Sequence, residues 1–117
     1  MKKNILVVDN LTDRIIFFIE RFGSHNLTII ENSEDAIYYL KHNVYDYIFF
    51  GGNLNETGRG CAEVAIFLKD NPDNPNNNSM LIIHSWDVSI VYLILQSLPK
   101  AIYLPFTESD FTTLFNI

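Results

Sequence analysis

The feature that most constrains the fold is a repeated alternation of short apolar runs with longer segments of helical period. Each run has four residues, dominated by β-branched, aromatic or aliphatic side chains, and such runs are typical of strands buried on both faces of a sheet. The runs are Ile5–Val8, Leu27–Ile30, Tyr47–Phe50, Met80–Ile83 and Ala101–Leu104. Strands that alternate with amphipathic helices predict a parallel sheet with helices on both faces. We therefore expect one α/β domain over residues 1–117, a doubly wound five-stranded parallel sheet with helices on both faces.

The helices between the runs have recognisable ends. Apolar residues recur at helical spacing as far as Phe22, where Gly23 is expected to end the first helix. Asn32 is expected to cap the second helix, because Asn side chains accept hydrogen bonds from the first turn. The remaining predicted helices are Cys61–Leu68, Val88–Leu98 and a last one that begins at Thr107. Two segments predict loops: residues 51–60, which hold four of the five glycines, and Asp70–Ser79, "DNPDNPNNNS", which is rich in turn residues.

Composition and charge argue against several classes of partner. The formal net charge of −6 offers no electrostatic support for binding a nucleic-acid backbone. No apolar run approaches the roughly 18 residues that a membrane helix needs, and the N-terminus leads directly into the first strand. Cys61 is the only cysteine, so no intrachain disulfide is possible. We expect a cytoplasmic protein without nucleic-acid or membrane partners.

The residues that follow each strand are the candidate functional residues, because open α/β sheets bind ligands beyond the carboxyl ends of their strands. Arg14 joins them from about one turn into the first helix, where it can act as an anion clamp. The candidate pocket comprises Asp9, Asn10, Arg14, Gly51, Gly52, Asn53, Ser85, Trp86, Asp87 and Leu104. The candidates for catalysis are His84 and Asp9.

Four segments, in this order, resemble the response-regulator receiver domain over nearly the whole chain: "ILVVDN", "YDYIFFG", "IIHS" and "AIYLPF". The resemblance implies a flavodoxin-like, doubly wound five-stranded sheet with strand order 2-1-3-4-5. It also implies a site in which two acids and an acceptor Asp hold Mg²⁺, the acceptor is phosphorylated, and a Lys neutralises the charge. Here Asp9 is kept, but Asn10 stands at the second acid, Gly51 at the acceptor and Leu104 at the Lys. The resemblance therefore implies a degenerate receiver with an incomplete Mg²⁺ site, no other cofactor and no phosphorylation.

A narrower resemblance is to a receiver-like group that is predicted to process cyclic phosphates. It rests on "DNLTDR", "TGRGCAEVAIFL" and the "HS" after the fourth strand. That group has an Asp-His-Asp-like cluster where this chain has Gly51, Gly52 and Asn53. The residues that match the group are Arg14, His84 and Ser85, while Asp87 stands where the group tends to have Asn. This resemblance implies binding or processing of a nucleotide or cyclic phosphate.

Several residues admit two interpretations from sequence alone. Gly51 and Gly52 either let the chain turn with positive φ or line the pocket with backbone N–H groups. Asp9 either caps the following turn or accepts a hydrogen bond from Arg14 or a ligand. Trp86 is a core residue, a cover for the pocket or an exposed anchor for a partner.

The fourth helix suggests a surface for association. Its sequence, "VSIVYLILQSL" (Val88–Leu98), has few polar residues, and with Tyr103 it forms a candidate contact for a protein partner or a second copy of the chain.

Because adjacent strand residues point to opposite faces, His84 and Ser85 are not expected to form a catalytic pair.

The sequence thus favours a degenerate, stand-alone receiver-like domain that acts as a phosphorylation-independent signalling or interaction module, and is not expected to be an enzyme. The alternative is a protein that binds or processes a small anionic ligand such as a nucleotide or cyclic phosphate. A third alternative, a flavodoxin-like electron carrier, is weakened because "DNLTDR" lacks the Ser/Thr/Gly-rich cradle that a flavin phosphate needs.

Overall fold

A computed structural model describes residues 1–56, 58–115 and 117, and shows a five-stranded, all-parallel sheet in the order β2-β1-β3-β4-β5. The strands are β1 (Asn4–Val8), β2 (Asn26–Ile30), β3 (Tyr47–Phe50), β4 (Met80–Ile83) and β5 (Ile102–Tyr103). The helices are α1 (Thr12–Phe22), α2 (Ser33–His42), α3 (Cys61–Asp70), α4 (Val88–Ser97) and α5 (Glu108–Leu114). The predicted flavodoxin-like fold and strand order are confirmed. Thr57, in the predicted loop 51–60, and Asn116 lie outside the described residues.

Two apolar cores lie on opposite faces of the sheet, because successive strand residues point in opposite directions. Leu6 and Val8 of β1 pack with α2, α3 and α4, whereas Ile5 and Val7 pack with α1 and α5. The second core is unusually aromatic. Its fully or almost fully buried phenylalanines are Phe17, Phe18, Phe22, Phe49, Phe106 and Phe111. Burial on both faces explains why the strands show no polar alternation.

Side-chain caps fix where the helices begin. The Asn32 side chain accepts a hydrogen bond from the Asp35 N–H, and the Thr107 hydroxyl accepts one from the Asp110 N–H. The predicted loop Asp70–Ser79 contains a short 3₁₀ turn, Pro75–Asn78. Within it the buried Asn76 amide donates to the backbone carbonyls of Leu40 and Asn43.

β2 lies on one side of β1, and β3, β4 and β5 follow on the other, so the order of the strands reverses at β1. Backbone hydrogen bonds continue the sheet past the strand ends: Gly51 N–H donates to Val8 O over 2.8 Å, and His84 N–H donates to Phe50 O over 3.0 Å. The segments that follow β1, β3 and β4 are therefore held side by side at the carboxyl edge. No helix within the described ranges combines the length and apolarity that a bilayer crossing requires.

Candidate functional site

An open cleft of about 260 Å³ lies at the carboxyl edge of the sheet, where the segments after β1, β3 and β4 meet. Its lining residues are Asp9, Asn10, Leu11, Arg14, Gly52, Asn53, Asn55, Ser85, Trp86 and Asp87. Eight of the ten predicted pocket residues line the cleft, whereas Gly51 and Leu104 do not. Gly51 is buried beneath Asp9, and Leu104 is half-buried against the aromatic core. Leu11 and Asn55 were missed, although each lies within two residues of a predicted one.

Asp9 is the centre of a buried polar cluster at the base of the cleft. Its Oδ2 lies 2.6 Å from His84 Nε2 and 3.5 Å from an Arg14 Nη1. Its Oδ1 accepts a hydrogen bond from the Leu11 N–H over 3.0 Å. The Asp9 side chain is only 1% exposed. Both carboxylate oxygens are therefore satisfied inside the protein, and Asp9 both caps the following turn and pairs with Arg14.

The Asp9 side chain occupies the space that a side chain at position 51 would need. A Cβ built on Gly51 would lie 2.7 Å from Val8 O and 2.9 Å from Asp9 Cγ. Carbon atoms in proteins do not approach so closely without displacing their neighbours. Glycine at 51 is thus a steric requirement of the inward-turned Asp9.

Gly51 and Gly52 do not turn the chain with positive φ, so that interpretation is wrong. In the loop after β3 the positive φ angles belong to Gly60, at 53°, and to Leu54 and Asn55, at 61° and 55°. Gly52 and Asn53 line the cleft and Gly51 does not.

His84 lies in an aromatic cage and not in the cleft. The ring is fully buried, and its centroid lies within 6.3 Å of the ring centroids of Phe18, Phe49, Phe106 and Phe111. Its Nδ1 has no hydrogen-bond partner among the described residues. A proton on Nδ1 would be an unsatisfied buried donor, so a neutral ring with its proton on Nε2 fits this environment. His84 then donates to Asp9 and orients it.

The ionisation states in this cluster follow from burial and pairing. Burial lowers the pKa of His84 below its ordinary 6.5, and the opposing effect of Asp9 does not cancel this. Burial raises the pKa of Asp9, but the His84 hydrogen bond, the Leu11 N–H and the Arg14 charge outweigh it, so that the pKa falls below 3.8. The cluster therefore consists of an Asp9 carboxylate, a neutral His84 and an Arg14 cation.

Arg14 is positioned by aromatic rings. Its guanidinium carbon lies 4.9 Å from the Trp86 ring centroid and 5.6 Å from that of Phe106. The Trp86 indole N–H donates to Phe106 O over 3.1 Å, which fixes the indole across the cleft. Trp86 is 64% exposed and lines the cleft, so it is not a core residue. No pattern in the sequence identified Phe106 as the second ring.

Ser85 and Asp87 belong to the start of α4. The Ser85 hydroxyl accepts a hydrogen bond from the Asp87 N–H, and Asp87 Oδ1 accepts from the Ser89 N–H over 3.1 Å. Ser85 faces the cleft while His84 faces the aromatic core, so the structure does not bring the two side chains together.

The residues present do not fit the magnesium site that the fold implies. Mg²⁺ needs several free oxygen ligands. Asp9 has both oxygens engaged, Asn10 is neutral and Gly51 has no side chain. In the part of the chain that the structure describes, no three His, Cys, Asp or Glu side chains group so as to hold a metal ion.

The state of His84 predicts loss of stability in mild acid. Unfolded His84 binds a proton near pH 6.5, whereas native His84 does so only at lower pH, so the unfolded chain binds more protons below 6.5. The free energy of unfolding should therefore fall from about pH 7 to about pH 5, as measured by urea denaturation. His84→Gln keeps a donor for Asp9 but does not titrate, and should flatten this dependence. Equal pH dependence in both proteins would contradict the prediction, and His25 and His42, present in both, act as internal controls.

No protein-family model and no curated protein matches the chain. Solved structures do. The signal receiver domain of a LuxO repressor protein from Vibrio parahaemolyticus matches 97% of this chain and 87% of its own, at a TM-score of 0.71 and 17% identity. The phosphorylated cyanobacterial phytochrome response regulator RcpA matches 97% of this chain and 89% of its own, at a TM-score of 0.73 and 15% identity. The Mn²⁺-bound response regulator Rcp1 matches 97% of this chain and 95% of its own, at a TM-score of 0.71 and 18% identity.

These similarities define the class: the chain has the receiver fold of response regulators, in its flavodoxin-like five-stranded form. At such identities the likeness establishes the fold alone. Within that fold, this chain's own site is built on the buried Asp9–His84–Arg14 cluster, with Gly51 beneath it.

Proposed function

We propose that this receiver-like domain is a signalling module that works without phosphorylation, by binding a protein partner through a fixed site. The observation that carries the proposal is the packing of Asp9 over Gly51, where a Cβ would lie 2.9 Å from Asp9 Cγ. The receiver resemblance puts the phospho-acceptor at position 51. That position has no nucleophile, and the space above it is filled.

The electrostatics support the same proposal. Asp9, the acid that the receiver resemblance finds kept in this chain, is neutralised by Arg14 and hydrogen-bonded by His84. A carboxylate that is buried and paired in this way is a poor nucleophile and a poor ligand for a cation. The edge of the sheet is thus held in one arrangement by contacts within the protein.

A chemical phosphodonor tests the proposal directly. We expect that acetyl phosphate with Mg²⁺ leaves the intact mass of the protein unchanged and does not alter the fluorescence of Trp86, the only tryptophan. A stoichiometric acid-labile phosphoryl adduct, or a fluorescence change that requires both reagents, would contradict phosphorylation independence.

A second contact surface is proposed on α4 and β5, for self-association. Val88 and Tyr92 are 71% and 62% exposed, and Tyr103 on the edge strand is 39% exposed. Residues 88–97 contain no charged side chain, whereas each of the other four helices has several. A chain of net charge −6 can approach its own copy with least repulsion through an uncharged face. We therefore propose a homodimer through this surface.

Tyr92→Glu should abolish the self-association. It places a charge at the centre of the α4 surface, where two copies would oppose like charges. The measurement is the weight-average mass by sedimentation as a function of protein concentration. Tyr38→Glu is the matched control, because Tyr38 is 59% exposed on α2 and lies outside the proposed surface. A wild-type protein that stays monomeric at high concentration would refute the dimer.

A second candidate function is the binding of a nucleotide or cyclic phosphate in the cleft. It is favoured by Arg14, which lines the cleft and whose one side-chain polar contact among the described residues is its ion pair with Asp9. His84 lies outside the cleft, so the observation favours binding and not processing. A thermal-shift screen with mononucleotides and 2′,3′-cyclic nucleotides tests it, since a ligand of the native state raises the melting temperature. If no ligand raises the melting temperature, this second candidate is contradicted and only the first proposal remains.

A further inference from the structure

We propose that Arg14 is the receptor for a single carboxylate group, presented by an acidic segment of the partner protein. The inference rests on the proposed interaction function and assigns the chemistry of the partner. It follows from three features of the described residues: the guanidinium with its single polar contact, the shape of the surface around it and the local count of charges.

The guanidinium of Arg14 is held rigidly and is short of acceptors. The side chain is only 7% exposed, yet its one polar contact among the described residues is Asp9 Oδ2, at 3.5 Å. Trp86 and Phe106 contact it through their rings, which accept no directed hydrogen bond from its N–H edges. A planar fork of donors that is already immobilised loses little entropy on binding a carboxylate. Arg14 lines the cleft, so this unmet capacity is available there.

The surface around Arg14 suits an extended segment. The 260 Å³ cleft adjoins a second depression of about 290 Å³, lined by Leu11, Thr12, Asp13, Arg14, Trp86 and Phe106. The two depressions share Leu11, Arg14 and Trp86. A peptide that crosses Arg14 could occupy both depressions, whereas a compact ligand would occupy one. The exposed indole of Trp86 then packs against the segment, in the way aromatic anchors do at interfaces.

The local charges disfavour a doubly charged anion. Among the described residues, Arg14 is the only cation that lines either depression, and it is already paired with Asp9, while Asp87 and Asp13 add further negative charges. A doubly charged phosphate would meet more repulsion than one guanidinium can offset, but a carboxylate adds only one charge. The overall charge of −6 repels an acidic partner at long range, and physiological salt screens this beyond about 8 Å. Recognition therefore depends on the contact at Arg14.

N-acetyl-glutamate methylamide is the probe, with N-acetyl-glutamine methylamide as its uncharged match. Each is titrated at constant ionic strength, and the indole N–H resonance of Trp86, single in this chain, reports binding. We expect a saturable shift with the glutamate compound, half-complete at a concentration on the order of millimolar, and at least tenfold weaker binding of the glutamine compound. Superimposable titrations of the two compounds would overturn the proposal.

Variants assign the effect to Arg14. Arg14→Gln should remove the response, and Arg14→Lys, which keeps the charge but not the planar fork, should weaken it about tenfold. Arg21→Gln is the control on the same helix, because Arg21 donates to Phe115 O and lies outside both depressions. If Arg14→Gln does not fold, Arg14→Lys alone decides, and an unweakened response there overturns the proposal.

Inorganic phosphate, titrated under the same conditions, distinguishes the two classes of anion. Tighter binding of phosphate than of the glutamate compound would overturn the carboxylate assignment and support the nucleotide or cyclic-phosphate candidate. Failure of the carboxylate proposal is separable from failure of the proposed function. The protein would then show no glutamate response but would still be inert to acetyl phosphate.

Discussion

Asp9→Asn is expected to lower the free energy of unfolding by about 3–5 kcal/mol, the range found when one partner of a buried ion pair is removed. The substitution conserves shape, so the loss comes from electrostatics and not from a cavity. Arg14, whose side chain is 7% exposed, would keep its charge without a counter-ion. The Asn amide would also have to turn its oxygen toward His84 and so direct its nitrogen at the Leu11 N–H. Urea denaturation at pH 7 measures the change.

Glu63→Gln is the matched control for the buried pair. Glu63 accepts a hydrogen bond from Arg59 Nε over 3.1 Å, but the two side chains are 39% and 56% exposed. Solvent screens such a pair, so its loss should change stability by less than about 1 kcal/mol. A similar small change for Asp9→Asn would show that Asp9 is not paired as the structure describes.

Gly51→Ala is the second large effect that we expect, a loss of about 1–3 kcal/mol from overpacking. The added methyl group would lie 2.7 Å from Val8 O, which cannot retreat easily because it accepts hydrogen bonds from the Gly51 N–H and the Cys61 thiol. It would also press on Asp9 Cγ, and so on the pair with Arg14. Gly51→Asp, which restores an acidic residue at the acceptor position, should be more destabilising still and should not gain a reaction with acetyl phosphate.

Gly58→Ala separates this steric effect from the general cost of replacing a glycine in the same loop. The nearest atom to a Cβ at Gly58 is Glu63 Oε1, at 3.9 Å, and Gly58 is exposed. Its substitution should change stability by no more than about 0.5 kcal/mol. If Gly51→Ala were equally mild, the space above Gly51 would be open, and the main support for phosphorylation independence would be lost.

The fold could be predicted because its determinants are local. The run "YIFF" is apolar at every position, and the structure has a strand there with helices packed on both faces. Asn32 and Thr107 cap helices by bonding to residues three positions further on, a relation that sequence spacing shows directly. The carboxyl edge could be predicted as the site because parallel strands bring all their carboxyl ends to one edge.

The inner arrangement of the site could not be predicted, because it depends on contacts between distant residues. Asp9 and His84 are 75 positions apart, and only the register of β1, β3 and β4 brings Asp9 Oδ2 within 2.6 Å of His84 Nε2. From sequence, Gly51 marks the absence of a phospho-acceptor side chain. In the structure, the lack of a side chain at Gly51 leaves the space that the Asp9 side chain occupies.

The sequence by itself thus determined the five-stranded receiver fold, the edge at which a site must lie and the lack of a nucleophile at position 51. The tertiary structure decided that Asp9 turns inward, that Arg14 is buried against Trp86 and that His84 serves the core and not the cleft. The physical reason is that hydrophobic periodicity, which determines the strands and helices, is a local property of each segment. The choice of partner for a buried charge depends on which segments the sheet brings together, and on how much water their packing excludes.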